Sequence, residues 1–158
     1  MLQTLFYPDG RIGPVAFRNA ALALIAAGAA VSLTPVAVPA LWMVSFAGFL
    51  FLYPWVVIWV KRFHDAGKSG WWFLAVFVPW LVTGAIANHF ITAEFGLAPP
   101  QPGTPVDIWG YMAAQTQAIA LPATIASVVI SLVFALVVNE ELKSDPGENR
   151  HGSPPARQ

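Results

Sequence analysis

Three stretches of this chain contain no Asp, Glu, Lys or Arg: residues 19–60, 69–93 and 108–139. No other feature limits the fold as strongly. A helix needs roughly 20 apolar residues to cross about 30 Å of hydrocarbon. The first stretch is long enough for two crossings, and each of the others for one. A soluble domain cannot be built around such segments, because its surface needs charge. Typical soluble domains carry about 25% charged residues, whereas this chain has 10%, with 57% hydrophobic. The sequence therefore predicts an all-α polytopic membrane protein with four transmembrane helices. The membrane domain occupies residues 1–145 and a polar C-terminal tail occupies 146–158.

The helices are expected at about 17–34, 40–60, 70–92 and 115–139. A short loop, 61–69, joins the second and third, and a longer one, 93–114, joins the third and fourth. Pro35 and Pro39 bracket a tight first turn, while Pro54 and Pro79 are candidate kinks. Pro99, Pro100, Pro102 and Pro105 keep the longer loop extended. Trp42 and Trp59 fall near opposite ends of the second helix, and Trp109 and Tyr111 mark re-entry of the fourth, where aromatic belts sit. Leu2, Leu5, Phe6 and Tyr7 suit an interfacial N-terminal segment. Ala123, Ser127, Ser131 and Ala135 recur every four residues and form a small-residue packing seam. Packing within the bundle is the first reading of that seam, and contact with a second copy of the chain is the other. Arg11 and Arg18 precede an apolar stretch, and Ala27-Gly28-Ala29 resembles a signal-peptide cleavage site. The apolar run resumes for another full span, which favours an uncleaved first helix.

The charges set an orientation. The two terminal segments and the 61–69 loop share one side of the membrane. That side holds Arg11, Arg18, Lys61, Arg62, Lys68, Lys143, Arg150 and Arg157, which are all 8 basic residues of the chain. The opposite side has only Glu94 and Asp107. By the positive-inside rule both termini are expected in the cytoplasm. The richness in Ala, Val, Gly and Pro fits a bacterial protein, and hence the inner membrane. Net charge is zero, which argues against a nucleic-acid partner. Cysteine is absent, so disulfides, thiolate metal sites and thiol catalysis are excluded.

No constellation specifies catalysis, a metal or a cofactor. Gly67-Lys68-Ser69 invites comparison with a phosphate-binding loop, but Arg62 stands where that motif needs its first glycine. His64-Asp65 suggests an acid–base pair, yet adjacent side chains diverge and no nucleophile is specified nearby. Asn88-His89 with Glu94 is a weak metal or proton site, more simply read as an interfacial histidine reaching water. His64, His89 and His151 lack metal-ligand spacing. Ionisable residues within a membrane usually mark a transport pathway, and the four spans have none between their ends. A small oligomeric transporter or channel subunit, lined by Ser127 and Ser131, is therefore the alternative reading.

The leading reading, a non-enzymatic membrane module that binds anionic lipid or a partner through its cytoplasmic face, rests on the basic loop. Lys61, Arg62 and Lys68 are expected at the headgroup level beside Trp71 and Trp72. Anionic phospholipid attracts such groups by about 1 kcal/mol per charge. The plainer reading is that these charges only set topology. Asp65 argues for something more, since a lone carboxylate among three cations weakens lipid attraction unless it has a structural partner. Arg11, Arg62 and Lys68 are the candidates for that partner.

Lys61-Arg62-Phe63-His64-Asp65-Ala66-Gly67-Lys68-Ser69-Gly70-Trp71-Trp72 resembles the hallmark loop of the domain of unknown function 805 family of small bacterial inner-membrane proteins. Gly10-Arg11-Ile12-Gly13 resembles the family's N-terminal motif, and Gly147-Glu148-Asn149-Arg150-His151-Gly152 its closing element. Pro14, Arg18 and His151 depart from the usual pattern. The resemblance implies architecture and location, and no activity. Because all three blocks fall on one side, Arg11, Asp65, Asn149 and the glycine turns around Gly67 are expected to dock as a folded cap or a small anion site.

Overall fold

A computed structural model describes residues 5–103 and 105–155; Leu2 and Arg157 lie outside them. The regular secondary structure of the described residues is helical, apart from one isolated bridge between Asn149 and Gly152. Four helices are long and apolar enough to cross a membrane: Pro14–Ala37, Pro39–Asp65, Gly70–Phe95 and Ile108–Glu141. They are called spans 1 to 4 below.

Local chemistry sets their ends. Span 1 starts at Pro14, three residues earlier than expected, because proline suits a first turn where no N–H partner is required. It breaks at Leu33 and resumes over Thr34–Ala37. Span 2 runs as a 3-10 helix over Pro39–Phe51 and as an α-helix over Leu52–Asp65. The change of pitch falls just ahead of Pro54, which therefore sits in a first α-turn instead of kinking a continuous helix. Span 4 begins at Ile108 rather than near 115. The Asp107 carboxylate caps it, accepting from the Trp109 and Gly110 amides at 3.2 and 3.1 Å.

The main difference lies at the basic loop. The α-helix of span 2 continues through Lys61–Asp65, so the connection to span 3 shrinks to residues 66–69. The helix closes on Gly67, whose φ is +70°. Gly67 N donates to His64 O at 3.1 Å and Lys68 N to Phe63 O at 2.9 Å. This paired pattern is the Schellman ending, and it explains the glycine in the motif. Continuing the helix places Trp55, Ile58, Trp59, Arg62 and Phe63 on one buried stripe.

The core gathers where spans 1, 2 and 4 meet. Phe17 is fully buried, and its ring lies 4.6 Å from that of Trp59. Ile12, Ala20, Ala21, Leu24, Ile58, Ala135 and Leu142 surround the pair. Two small residues of span 4 face this interior: Ala135 is buried, and the buried Ser131 accepts from the Trp80 indole at 3.1 Å, while Ser127 one turn earlier is exposed. Large apolar side chains such as Phe49, Leu50 and Phe90 stay exposed along the spans. That is how helices surrounded by lipid distribute their surface. The core is concentrated at the end of the bundle that bears Arg11, the 66–69 turn and the C-terminal segment.

Candidate functional site at the polar end

The site is built on Asp65, in the last turn of span 2. Its side chain is 0% exposed. Oδ1 accepts from Arg11 Nε at 3.2 Å and from Arg11 Nη2 at 3.1 Å. Oδ2 accepts from Arg62 Nη1 at 2.9 Å and from the Ser144 hydroxyl at 2.5 Å. Each carboxylate oxygen thus has two donors. A carboxylate so enclosed has no free lone pair or solvent path for proton abstraction, so its chemistry here is to hold two guanidinium groups.

Those groups reach in opposite directions. Arg62 directs Nε to Asn139 Oδ1 at 2.6 Å and Nη2 to Asn139 O at 3.1 Å, and Nη2 also donates to Leu142 O. With Nη1 on Asp65 and, at 3.4 Å, on Ser144 Oγ, it ties spans 2 and 4 together. It also supplies a cation and donors to the C-terminal carbonyls of span 4, where the helix dipole favours both. Arg11 does the same for the tail. Its Nη1 donates to Gly147 O at 2.7 Å and Gly152 O at 3.2 Å, and its Nη2 to Asp145 O at 2.5 Å.

The tail is therefore folded as far as it is described. Asp145 N donates to Asp65 O at 2.8 Å. The Asp145 carboxylate is held below its usual range, chiefly by the Gly147 amide, then by the Asn149 side chain and the Arg11 charge. Asn149 and Gly152 pair backbone to backbone, with Gly152 at a φ of +115°. Asn149 Nδ2 reaches His64 O at 3.2 Å, which anchors this tight turn on span 2. The His64 and His151 rings stack 3.7 Å apart and within 5° of parallel.

The structure brings Arg11, Arg62, His64, Asp65, Gly67 and Asn149 into one cluster. It separates them from Lys68, Trp71 and Trp72, which lie on the surface beside it. Lys68 Nζ stands 5.2 Å from the Trp72 ring, and Trp71 and Trp72 are 75% and 54% exposed. Lys61 and Arg62, expected at the headgroup level beside Trp71 and Trp72, do not share their exposed surface. Lys61 is 8% and Arg62 1% exposed, because the continued helix turns both inward. The sequence reading missed Asn139, Ser144 and Asp145. Asn139 carried a signal, as a polar residue closing an otherwise charge-free helix. Ser144-Asp145-Pro146-Gly147 is a turn signal at its exit.

A model of the family described as Protein of unknown function (DUF805) matches residues 5–153. No curated protein matches the chain, and neither does any solved structure.

Proposed function

This chain belongs to the DUF805 family of proteins of unknown function, and from that premise we propose a non-enzymatic inner-membrane module that binds anionic phospholipid through its polar end. Four candidate spans make it a multi-pass membrane protein. The cytoplasmic placement of both termini rests on the distribution of Lys and Arg. An alkaline phosphatase fusion after Gln158 that proved active outside the inner membrane would overturn that placement.

One observation carries the lipid reading. Lys68 and the exposed Trp71–Trp72 pair stand together at the start of span 3, outside the internally satisfied arginine cluster. An amphipathic ring pair with a cation beside it suits the headgroup layer, and the attraction is worth about 1 kcal/mol per cation. Native mass spectrometry of detergent-released protein tests this. Lys68→Ala with Trp71→Ala is expected to lose retained phosphatidylglycerol several-fold relative to wild type. Equal retention would remove the reading. Arg62 must be left intact in such variants, because its replacement acts on folding.

A second reading, a small oligomeric transporter or channel subunit, draws on a cavity of about 710 Å³ between spans 2, 3 and 4. Ser45, Asn88, Thr116, Thr124 and Ser127 contribute polar groups to its mainly apolar wall. Solute flux in proteoliposomes, abolished by Ser127→Val, is the result that would favour it.

A further inference from the structure

A second cavity, of about 520 Å³, opens between the last turns of span 2, the start of span 3 and the tail. Its polar lining is His64, Ser69, Arg150 and His151, with Trp71 at its side and no carboxylate in its wall among the described residues. This sets it apart from the neighbouring cluster, where the Asp65 carboxylate pairs with both Arg11 and Arg62.

Hydrogen bonding fixes the protons around it. His64 Nδ1 faces Gly10 O at 3.2 Å. A carbonyl only accepts, so this nitrogen carries a hydrogen and Nε2 is left for the cavity. Nε2 does face that way: a Cβ added at Gly70, in the opposite wall, would lie 3.0 Å from it and 2.9 Å from Val60 Cγ1. Arg150 Nε donates to His151 Nε2 at 3.0 Å, which holds the guanidinium plane. The Nη edge of Arg150 has no protein acceptor among the described residues. The cavity thus presents an unneutralised guanidinium fork, a hydroxyl and an imidazole edge, held by the folded tail.

We infer that this cavity binds a phosphate monoester group. Planar guanidinium matches phosphate through two parallel hydrogen bonds, and the Ser69 hydroxyl supplies a third donor. His64 Nε2, the acceptor side of the ring, takes a hydrogen bond from the hydroxyl of a monoprotonated phosphate. Glycine at position 70 is needed because any side chain there would intrude between Val60 and His64. The ligand is a lipid headgroup or a free phosphate compound. The lipid source rests on the headgroup reading above, while phosphate recognition by Arg150 does not depend on Lys68.

The test uses the full chain in micelles, with Trp fluorescence as the signal. The probes are inorganic phosphate, dihexanoyl phosphatidic acid and dihexanoyl phosphatidylcholine. Inorganic phosphate and phosphatidic acid are expected to saturate, and phosphatidylcholine is not. Phosphatidic acid binding at least tenfold more tightly than phosphate would mark a lipid ligand, and equal affinities a soluble one. Arg150→Gln and Gly70→Ala should each weaken phosphate at least tenfold. Lys143→Gln, an exposed charge elsewhere, should leave it unchanged. Hydrogen exchange of residues 144–152 checks that the tail stays docked in each variant. The inference is overturned if phosphate gives no saturable change, or if Arg150→Gln with a docked tail binds it as wild type does. Loss of phosphatidylglycerol retention on Lys68→Ala with intact phosphate binding would separate the surface from the cavity.

Discussion

Asp65→Ala is expected to lower stability by about 3–5 kcal/mol, the usual cost of removing one partner from a buried ion pair. The carboxylate is 0% exposed and faces two arginines whose side chains are 1% exposed. Without it, two cations share a dry site with no paired carboxylate, only the charges of Glu140 and Asp145 nearby, and the Ser144 hydroxyl loses its acceptor. Repulsion then pushes Arg11 outward and releases the tail carbonyls it holds. Equilibrium unfolding in micelles reads the loss. Glu94→Ala is the control, because that exposed residue at the far end should stay within about 0.5 kcal/mol of wild type. A similar loss for both would mean that the cluster contributes little to stability. Replacing the whole triad with apolar residues often restores stability in buried ion clusters. Here recovery should be incomplete, since the two arginines also satisfy carbonyls of Asn139, Leu142, Asp145, Gly147 and Gly152.

Arg62→Lys is the second large effect, despite keeping the charge. Arg62 spreads its donors over Asp65, Ser144, Asn139 and Leu142. A lysine offers three hydrogens on one atom and cannot reach both the carboxylate and the end of span 4. Losing one or two charge-assisted bonds predicts a cost of about 2–4 kcal/mol. Amide exchange should rise at 139–147, where the carbonyl ladder of span 4 ends. Wild-type stability and protection in Arg62→Lys would show that the fork geometry is dispensable.

Span number and approximate position were legible because membrane helices advertise themselves by missing charge. The ends were less legible. The sequence places a loop at 61–69 because Lys61, Arg62 and Asp65 are charged, and charge usually marks the exit from a membrane. Here they stay helical because Asp65 pairs with Arg62 and Arg11 inside the fold. Partner identity depends on residues such as Ser144 and Asn139 that are distant in sequence. The resemblance of three separated blocks did indicate that Arg11, Asp65 and Asn149 share one side. What it could not indicate is that Arg62 belongs to the buried set and Lys68 to the surface. That division follows from helical phase, which depends on where span 2 stops.

The folded tail has a consequence for the order of biogenesis. Asp65 and Arg62 are made and inserted long before Ser144, Asp145 and Gly147 leave the ribosome. Until then the Arg11–Asp65 pair lacks the carbonyls and hydroxyl that enclose it, and closing the cluster joins the two most sequence-distant parts of the chain. Such long-range closure is slow relative to local helix formation. Insertion of the four spans is therefore separable in time from their locking. A chain ending after span 4 would lack the carbonyls and hydroxyl that close the cluster, leaving Arg11 and Asp65 open to water.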